Sequence, residues 1–502
     1  MLKKIDKKRF IPAVILVAAV LIWAIAELDN LNAVASTMYS VITGEFGWVF
    51  VLTNIVCFVF TLWIILGPYA NVRMAGQDAK PDFDTVPWLG MMFTTGCSAG
   101  LVIYGFVEPL IQVSNPAFGI EPFSVDAYEF AQAYSHFDWG FICWGVWTPA
   151  AIAISYLIYN KKQKQARFSA VFEPMFKGEK HGIIDIIVDA ITVFGIMVGP
   201  ITSMGVGIPL LTTLIQELFN LPKGTDVTVQ IIVMVLWVAI FGTSVYLGLE
   251  KGIKRLSNFN IGLFFTFMVI VGCLAGVSFI FKAEIHTLGV YFQNFIKYAT
   301  YTDAYGDGSF FESWAAWYWA WITAYVPMMA IFIAKVSKGR TLKEIASATM
   351  IVGSLGCFVA MMTFGNYSLK VQMAGEVDLA GILNSEGQVA AILAIVRTMP
   401  FPKVMLVILT ILLFVFISTT MDSCSFVAAE VTSEHKEGEQ ASRLLRMFWA
   451  FMAIIITLVL LNIGGFSAIQ TLSILAGLPI AVILILIVIT MVKILRKDYE
   501  EK

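Results

Sequence analysis

Four aromatic residues, Trp314, Tyr318, Trp321 and Tyr325, recur at helical spacing in an otherwise apolar stretch, ESWAAWYWAWITAYVP, over 312–327. On one α-helix they form a continuous stripe, flanked by Trp317 and Trp319. An aromatic belt at the lipid–water boundary occupies one level of the bilayer. A stripe of this length spans about three turns and runs from the boundary into the depth. A second cluster, Trp139, Trp144 and Trp147, lies in HFDWGFICWGVWTP. Indole faces carry negative potential and attract a cation without a carboxylate. Quaternary ammonium groups suit such cages, being cations that cannot donate hydrogen bonds. Two helices converging with these tryptophans would form a cage for a trimethylammonium group, worth about 2 kcal/mol or more once water is excluded. Plain packing of the same rings is the alternative.

Two further segments hold polar or small residues where a membrane helix would not need them. TTGCSAGLVIYGFVEP contains Gly96, Ser98, Gly100 and Gly105, followed by Glu108 and Pro109. This composition suits either an unwound helix whose freed backbone groups line a site or a small-residue helix interface. FISTTMDSCS places Ser418, Thr419, Thr420, Asp422, Ser423 and Ser425 in a hydrophobic helix. Hydroxyls in a helix can bond back to their own backbone, but six polar groups exceed that need. An ionisable residue inside a span makes Asp422 a functional candidate, and the hydroxyl and carbonyl oxygens around it are the hard ligands a Na+ ion takes.

The elements that position these residues follow from composition. Of 502 residues, 59% are hydrophobic and 14% charged, with mean hydropathy +0.81; soluble domains carry about 25% charged residues. The chain reads as one integral, all-α membrane domain over 1–502. Helix-length windows give twelve spans near 10–27, 46–67, 88–113, 139–159, 183–211, 227–248, 259–281, 312–334, 345–364, 404–428, 444–464 and 469–494. The fifth, with Pro200 and Pro209, is expected to bend or break. With the N-terminus inside, 27 of the 33 Lys and Arg fall on one side of the membrane. That asymmetry places both termini in the cytoplasm of a multi-pass cell-membrane protein. Residues 284–308 and 379–398 read as helices in loops and not as spans. The six cysteines each lie in an apolar run, without metal-ligand spacing, and read as packed thiols. The four histidines lie outside the spans. No phosphate-binding loop, dinucleotide fingerprint or zinc motif occurs, so neither an enzyme nor a nucleic-acid partner is expected, and no cofactor beyond a coupling Na+. A channel would need polar or charged rings along a pore, and a non-transporting receptor with an aromatic cage is the remaining rival of another class.

The aromatic run Trp314-Ala-Ala-Trp317-Tyr318-Trp319-Ala-Trp321-Ile322, continuing to Lys338-Gly339-Arg340-Thr341, resembles the betaine/choline/carnitine transporter family. The resemblance extends to Gly67-Pro68-Tyr69, Tyr104-Gly105 with Glu108-Pro109, Asn115-Pro116 with Phe118-Gly119, Trp139-Gly140, Gly178-Glu179-Lys180 and the run Gly252 to Asn258. It implies two inverted five-helix repeats, spans 3–7 and 8–12, preceded by two extra helices. A quaternary-ammonium substrate would sit between the repeats, and a homotrimer in membrane lipid is implied. The family's aromatic box falls on Trp139, Trp144, Trp147, Trp321 and Tyr325, an outer transient site on Trp314 and Tyr318, and the unwound segment on Gly96, Ser98 and Gly100. Ion ligands fall on Cys97, Thr419 and Thr420. Ile322 stands where the run has a second tryptophan, and Ile111 where the carnitine/γ-butyrobetaine exchanger has a tyrosine. Asn260 stands where that sodium-independent exchanger carries an arginine, whereas Met329 matches its methionine. The resemblance therefore implies Na+-coupled uptake, with Na+-independent exchange as the alternative.

Overall fold

The computed structural model describes residues 5–96, 99–173, 182–222, 224–247, 252–434, 441–463 and 465–500. Cys97, Ser98 and the Gly178-Glu179-Lys180 motif lie outside them. The described residues are all-helical, with no strand and two isolated bridges, Ile5–Ser433 and Arg73–Thr341. Helices α1 (Lys7–Ala26), α2 (Leu28–Glu45) and α3 (Gly47–Leu66) lead into two half-helices, α4 (Thr85–Gly96) and α5 (Ala99–Ser114), which meet at 61°. Next come α6 (Val125–Asp138), α7 (Phe141–Tyr159), α8 (Gly182–Phe219), α9 (Asp226–Leu247), α10 (Gly252–Ala275) and α11 (Val277–Ala299). A π-turn at Phe311–Ala315 opens α12 (Ala316–Val336). The short helices α13 (Leu342–Ser347), α14 (Gly353–Ala360) and α15 (Asn366–Ala374) run on through two further π-turns as one span-length rod. Two more short helices, α16 (Leu379–Glu386) and α17 (Gln388–Thr398), precede α18 (Pro402–Val431), α19 (Arg443–Ile463) and α20 (Gly465–Tyr499).

Among the described residues nine helices are long and apolar enough to cross a membrane, or ten when α4 and α5 count as one bent span. Helix α1 and the apolar stretch Asp226–Ile240 of α9 stand at the two other expected positions. The core centres on α12, which packs against α7, α8 and α20 and is buried along almost its whole length. Large apolar side chains such as Val59, Leu66, Val235 and Phe265 face outward instead, as a lipid-facing surface requires. Basic residues near the helix ends are paired: Arg9 with Asp6 and Asp189, Arg167 with Asp6, Lys161 with Asp498, and Lys335 with Glu430.

Three expectations change. First, α8 runs unbroken through Pro200 and Pro209. A proline removes one backbone bond, but neighbouring helices can keep the helix continuous across it. Here α12, α18 and α20 press on α8, so closely that a Cβ at Gly199 would lie 3.0 Å from Tyr325. Second, the seventh span ends at Ala275 and not at 281. Gly276 adopts φ +95°, a left-handed turn that a side chain disfavours, and α11 starts beyond it. Third, 379–398 is two helices split at Gly387 (φ +86°), with Leu379, Leu383, Ile392 and Ile395 buried and both helices packed on α5. Residues 284–299 are helical as expected, with Tyr291 and Tyr298 inward and Ile285, Phe292 and Ile296 outward. Of the cysteines, Cys57, Cys143, Cys357 and Cys424 are buried and Cys273 is exposed, and none of these five forms a disulfide among the described residues.

Candidate functional site

The two tryptophan clusters converge. Trp144 and Trp147 project from α7, Trp139 sits in the break between α6 and α7, and α12 supplies Trp321 and Tyr325. Trp139 meets Trp321 edge-on at 6.1 Å between ring centroids, and Trp144 meets Trp147 at 4.8 Å. Tyr325 closes the ring at 6.4 Å from both Trp147 and Trp321. All five are buried.

The polar edges of these rings point away from one another. Trp139 Nε1 donates to Glu108 Oε2 (2.8 Å), Trp144 to Cys357 Sγ (3.3 Å), Trp147 to the Ile322 carbonyl (3.2 Å) and Trp321 to the Gly199 carbonyl (3.4 Å). The Tyr325 hydroxyl meets Ser203 at 3.0 Å. Each buried N–H is thus satisfied outside the cluster, as burial demands, and faces and edges of carbon are left to line its interior. Gly96, Cys143 and Ile322 complete the lining. The enclosed space admits the centre of a water-sized sphere over only about 10 Å³, room for about one water. The rings must part to take in anything the size of a trimethylammonium group.

The remaining stripe residues form a second level. Trp314 Nε1 donates to Asp138 Oδ2 and the Tyr318 hydroxyl to the Asp138 carbonyl, both at 2.8 Å. Trp317 stacks on Trp321 at 5.7 Å and 15°, while Trp319 packs edge-on against Phe137. Tyr104 on α5 lies 5.8–6.4 Å from Trp139, Trp314, Trp317 and Trp321, bridging the two levels. It was not among the expected site residues. Its signal was available: Tyr104 is one helical turn before Glu108, whose partner is Trp139.

The model of the BCCT family, described as betaine/carnitine/choline family transporter, matches residues 9–500. This chain belongs to that family. It is a multi-pass membrane transporter and not an enzyme.

In this transporter the half-helix break abuts the cluster. A Cβ on Gly96 would lie 2.7 Å from Trp144 Cη2, 2.9 Å from Trp147 Cζ3 and 3.0 Å from Met329 Cε. Only a hydrogen fits there. Overpacking of this kind costs about 1–3 kcal/mol, so Gly96→Ala is expected to raise the substrate concentration for half-maximal uptake by about tenfold, read from initial rates at graded substrate concentration. Gly100 lies in the first turn of α5, and Cys97 and Ser98 fall outside the described residues. Ile111 is not part of the cavity lining, whereas Ile322 is.

The polar run of α18 resolves into several roles. Ser418, Thr419 and Ser425 donate back to the carbonyls of Phe414, Phe416 and Asp422. Ser423 Oγ lies 3.4 Å from Thr95 Oγ1 near the end of α4. Asp422 is ion-paired with Arg446 at 2.9 Å, both buried, which ties α18 to α19. Thr420 Oγ1 is buried and makes no hydrogen bond among the described residues; the same holds for both amide atoms of Asn260 on α10. A hydroxyl that donates to its own helix keeps lone pairs for a cation.

Proposed function

We propose that this transporter moves a betaine- or carnitine-type quaternary-ammonium compound across the cell membrane by alternating access, with Trp139, Trp144, Trp147, Trp321 and Tyr325 as the cage. The observation that carries the reading is the outward anchoring of the indole N–H groups, which leaves ring faces and edges for a group that donates no hydrogen bond. Trp314 and Tyr318 form the outer stop on the way in, and opening follows from rearrangement of two inverted five-helix repeats, spans 3–7 and 8–12, about the α4–α5 break. Both termini are cytoplasmic, on the charge asymmetry of the loops. A homotrimer rests on the family resemblance alone.

Uptake is coupled to at least one Na+ held by oxygens of Thr419 and Thr420 against the broken helix, with Cys97 as a further ligand. Thr420's unpartnered hydroxyl and the neutral amide of Asn260 support this reading. Thr420→Ala should raise the Na+ concentration for half-maximal uptake by about tenfold, the worth of one lost hard ligand at about 1–2 kcal/mol. Met329 against the break favours the second reading, a Na+-independent exchanger. Proteoliposomes separate the two. Uptake of labelled glycine betaine, choline or carnitine into empty vesicles that requires inward Na+ supports the symporter. Uptake indifferent to Na+ but dependent on internal substrate establishes the exchanger and removes Thr420 from the coupling.

A further inference from the structure

The cage must open, and its rings are not held alike. Trp139 hangs on Glu108 Oε2 by the shortest of the four indole bonds, and Trp147 and Trp321 hang on backbone carbonyls of α12 and α8. Those two helices pack on each other and on α20 in the core. Of the four, Trp144 alone is held by sulfur, Cys357 Sγ, a weak acceptor. Cys357 lies on α14, which lends no residue to the lining of the cage but backs it. A Cβ on Gly353 would collide with Trp144 Cδ2 and Cε3, so the α14 backbone lies directly against that indole. One turn on, Gly356 leaves the same berth for Phe93 of α4, which stacks on Trp144 at 6.1 Å and 4°. Two features let this wall yield. It sits between two π-turns, Ala348–Val352 and Met361–Gly365. A π-turn holds one residue more than an α-turn needs, and such bulges lie mostly at functional sites. By passing that residue along, the rod can shift the segment between them and stay hydrogen-bonded. Leu355 and Val359, on the opposite side of the helix from Gly353 and Cys357, are exposed, so that face meets lipid and no protein among the described residues.

We propose that α14 is the yielding wall of the cage and that Cys357 is the residue that positions Trp144 on it. A trimethylammonium group entering the cage pushes Trp144 back. The ring and α14 move together toward lipid, and the two π-turns take up the shift. Trp139, Trp147 and Trp321 stay on their firmer anchors and form the fixed walls. Sulfur suits the moving wall, because it is polarizable and adaptable and keeps the buried N–H partnered while the ring shifts. The glycines suit it too: a side chain at Gly353 would drive Trp144 into the cage, and one at Gly356 would displace Phe93 from its stack on that ring. The inference rests on the cage reading above and adds α14 and Cys357 to the parts that set the fit of the substrate.

The test uses the full-length protein labelled with 5-fluorotryptophan, with glycine betaine, choline and carnitine as probes. The fluorine resonances of Trp139, Trp144, Trp147 and Trp321 are assigned by the line lost in each Trp→Phe variant. A saturating probe should displace the Trp144 line furthest of the four. Cys357→Ala leaves the buried indole N–H without its acceptor. It should raise half-saturation for uptake into proteoliposomes about fivefold for every probe. Cys357→Ser keeps an acceptor at the same place and should return half-saturation to near the wild-type value. A merely structural contact would instead lower the thermal midpoint of Cys357→Ala and leave half-saturation unchanged, and that result overturns the positioning role. A Trp144 line that stays in place while those of Trp139 or Trp321 move overturns the yielding wall and leaves the cage standing. No movement of any of the four lines with any probe overturns the cage reading, and the wall with it. If Cys357→Ala does not fold, the wild-type resonances alone decide.

Discussion

Trp321→Ala should lose saturable binding of trimethylammonium substrates, with affinity weakened at least about thirtyfold if the ring contributes about 2 kcal/mol of cation–π attraction. Trp321 is the hub of the site. It meets Trp139, Tyr318 and Tyr325 edge-on, stacks on Trp317, and touches Tyr104. Removing it opens one wall of the cage and frees the neighbours that it holds in place. The loss must be separated from a loss of folding, since a buried Trp→Ala change costs about 3–5 kcal/mol. Trp321→Phe is the companion: it keeps a ring face but gives up the N–H bond to the Gly199 carbonyl. The ordered result expected is wild type, then Phe with a several-fold weaker substrate half-saturation, then Ala without measurable binding, all three eluting as one monodisperse species. Equal affinities for Ala and wild type in folded protein would remove the cage and leave the aromatic column as packing.

Much of this site was legible in the sequence because it depends on local periodicity. The i, i+4, i+7, i+11 spacing in α12 and the three tryptophans beginning at Trp139 identify ring-bearing faces without knowledge of the partner helix. Gly96 was legible for the same reason, as a small residue in a run of small residues. What escaped depends on backbone torsion or on contacts between distant segments. The break at Gly276 lies in a stretch whose hydropathy is that of any span, so a window cannot see it; one left-handed residue ends α10. The unbroken α8 escaped for the opposite reason, because prolines signal a break while the packing around them comes from α12, α18 and α20. The pairing of Asp422 escaped because its partner, Arg446, lies on the next long helix.

That pair supports a last expectation. Asp422 and Arg446 join α18 to α19 across 2.9 Å, and Arg446 lies 5.3 Å from the Phe426 ring on the same face of α18. Both side chains are almost fully screened from solvent. Removing one member leaves a buried charge without its counter-charge, a cost of about 3–5 kcal/mol. Net stabilities of folded domains are only about 5–15 kcal/mol, so either Asp422→Asn or Arg446→Met should sharply reduce the yield of folded protein and its thermal midpoint in detergent. Replacing both should recover most of the loss, because a paired buried ion bridge contributes little over a well-packed neutral pair of similar volume. The double variant also separates structure from transport. If it regains the wild-type midpoint and transports substrate at a near wild-type rate, the pair is a clamp between two helices. If it folds but transports nothing, Asp422 acts in the cycle itself, and the polar run of α18 is more than an ion site with a structural anchor.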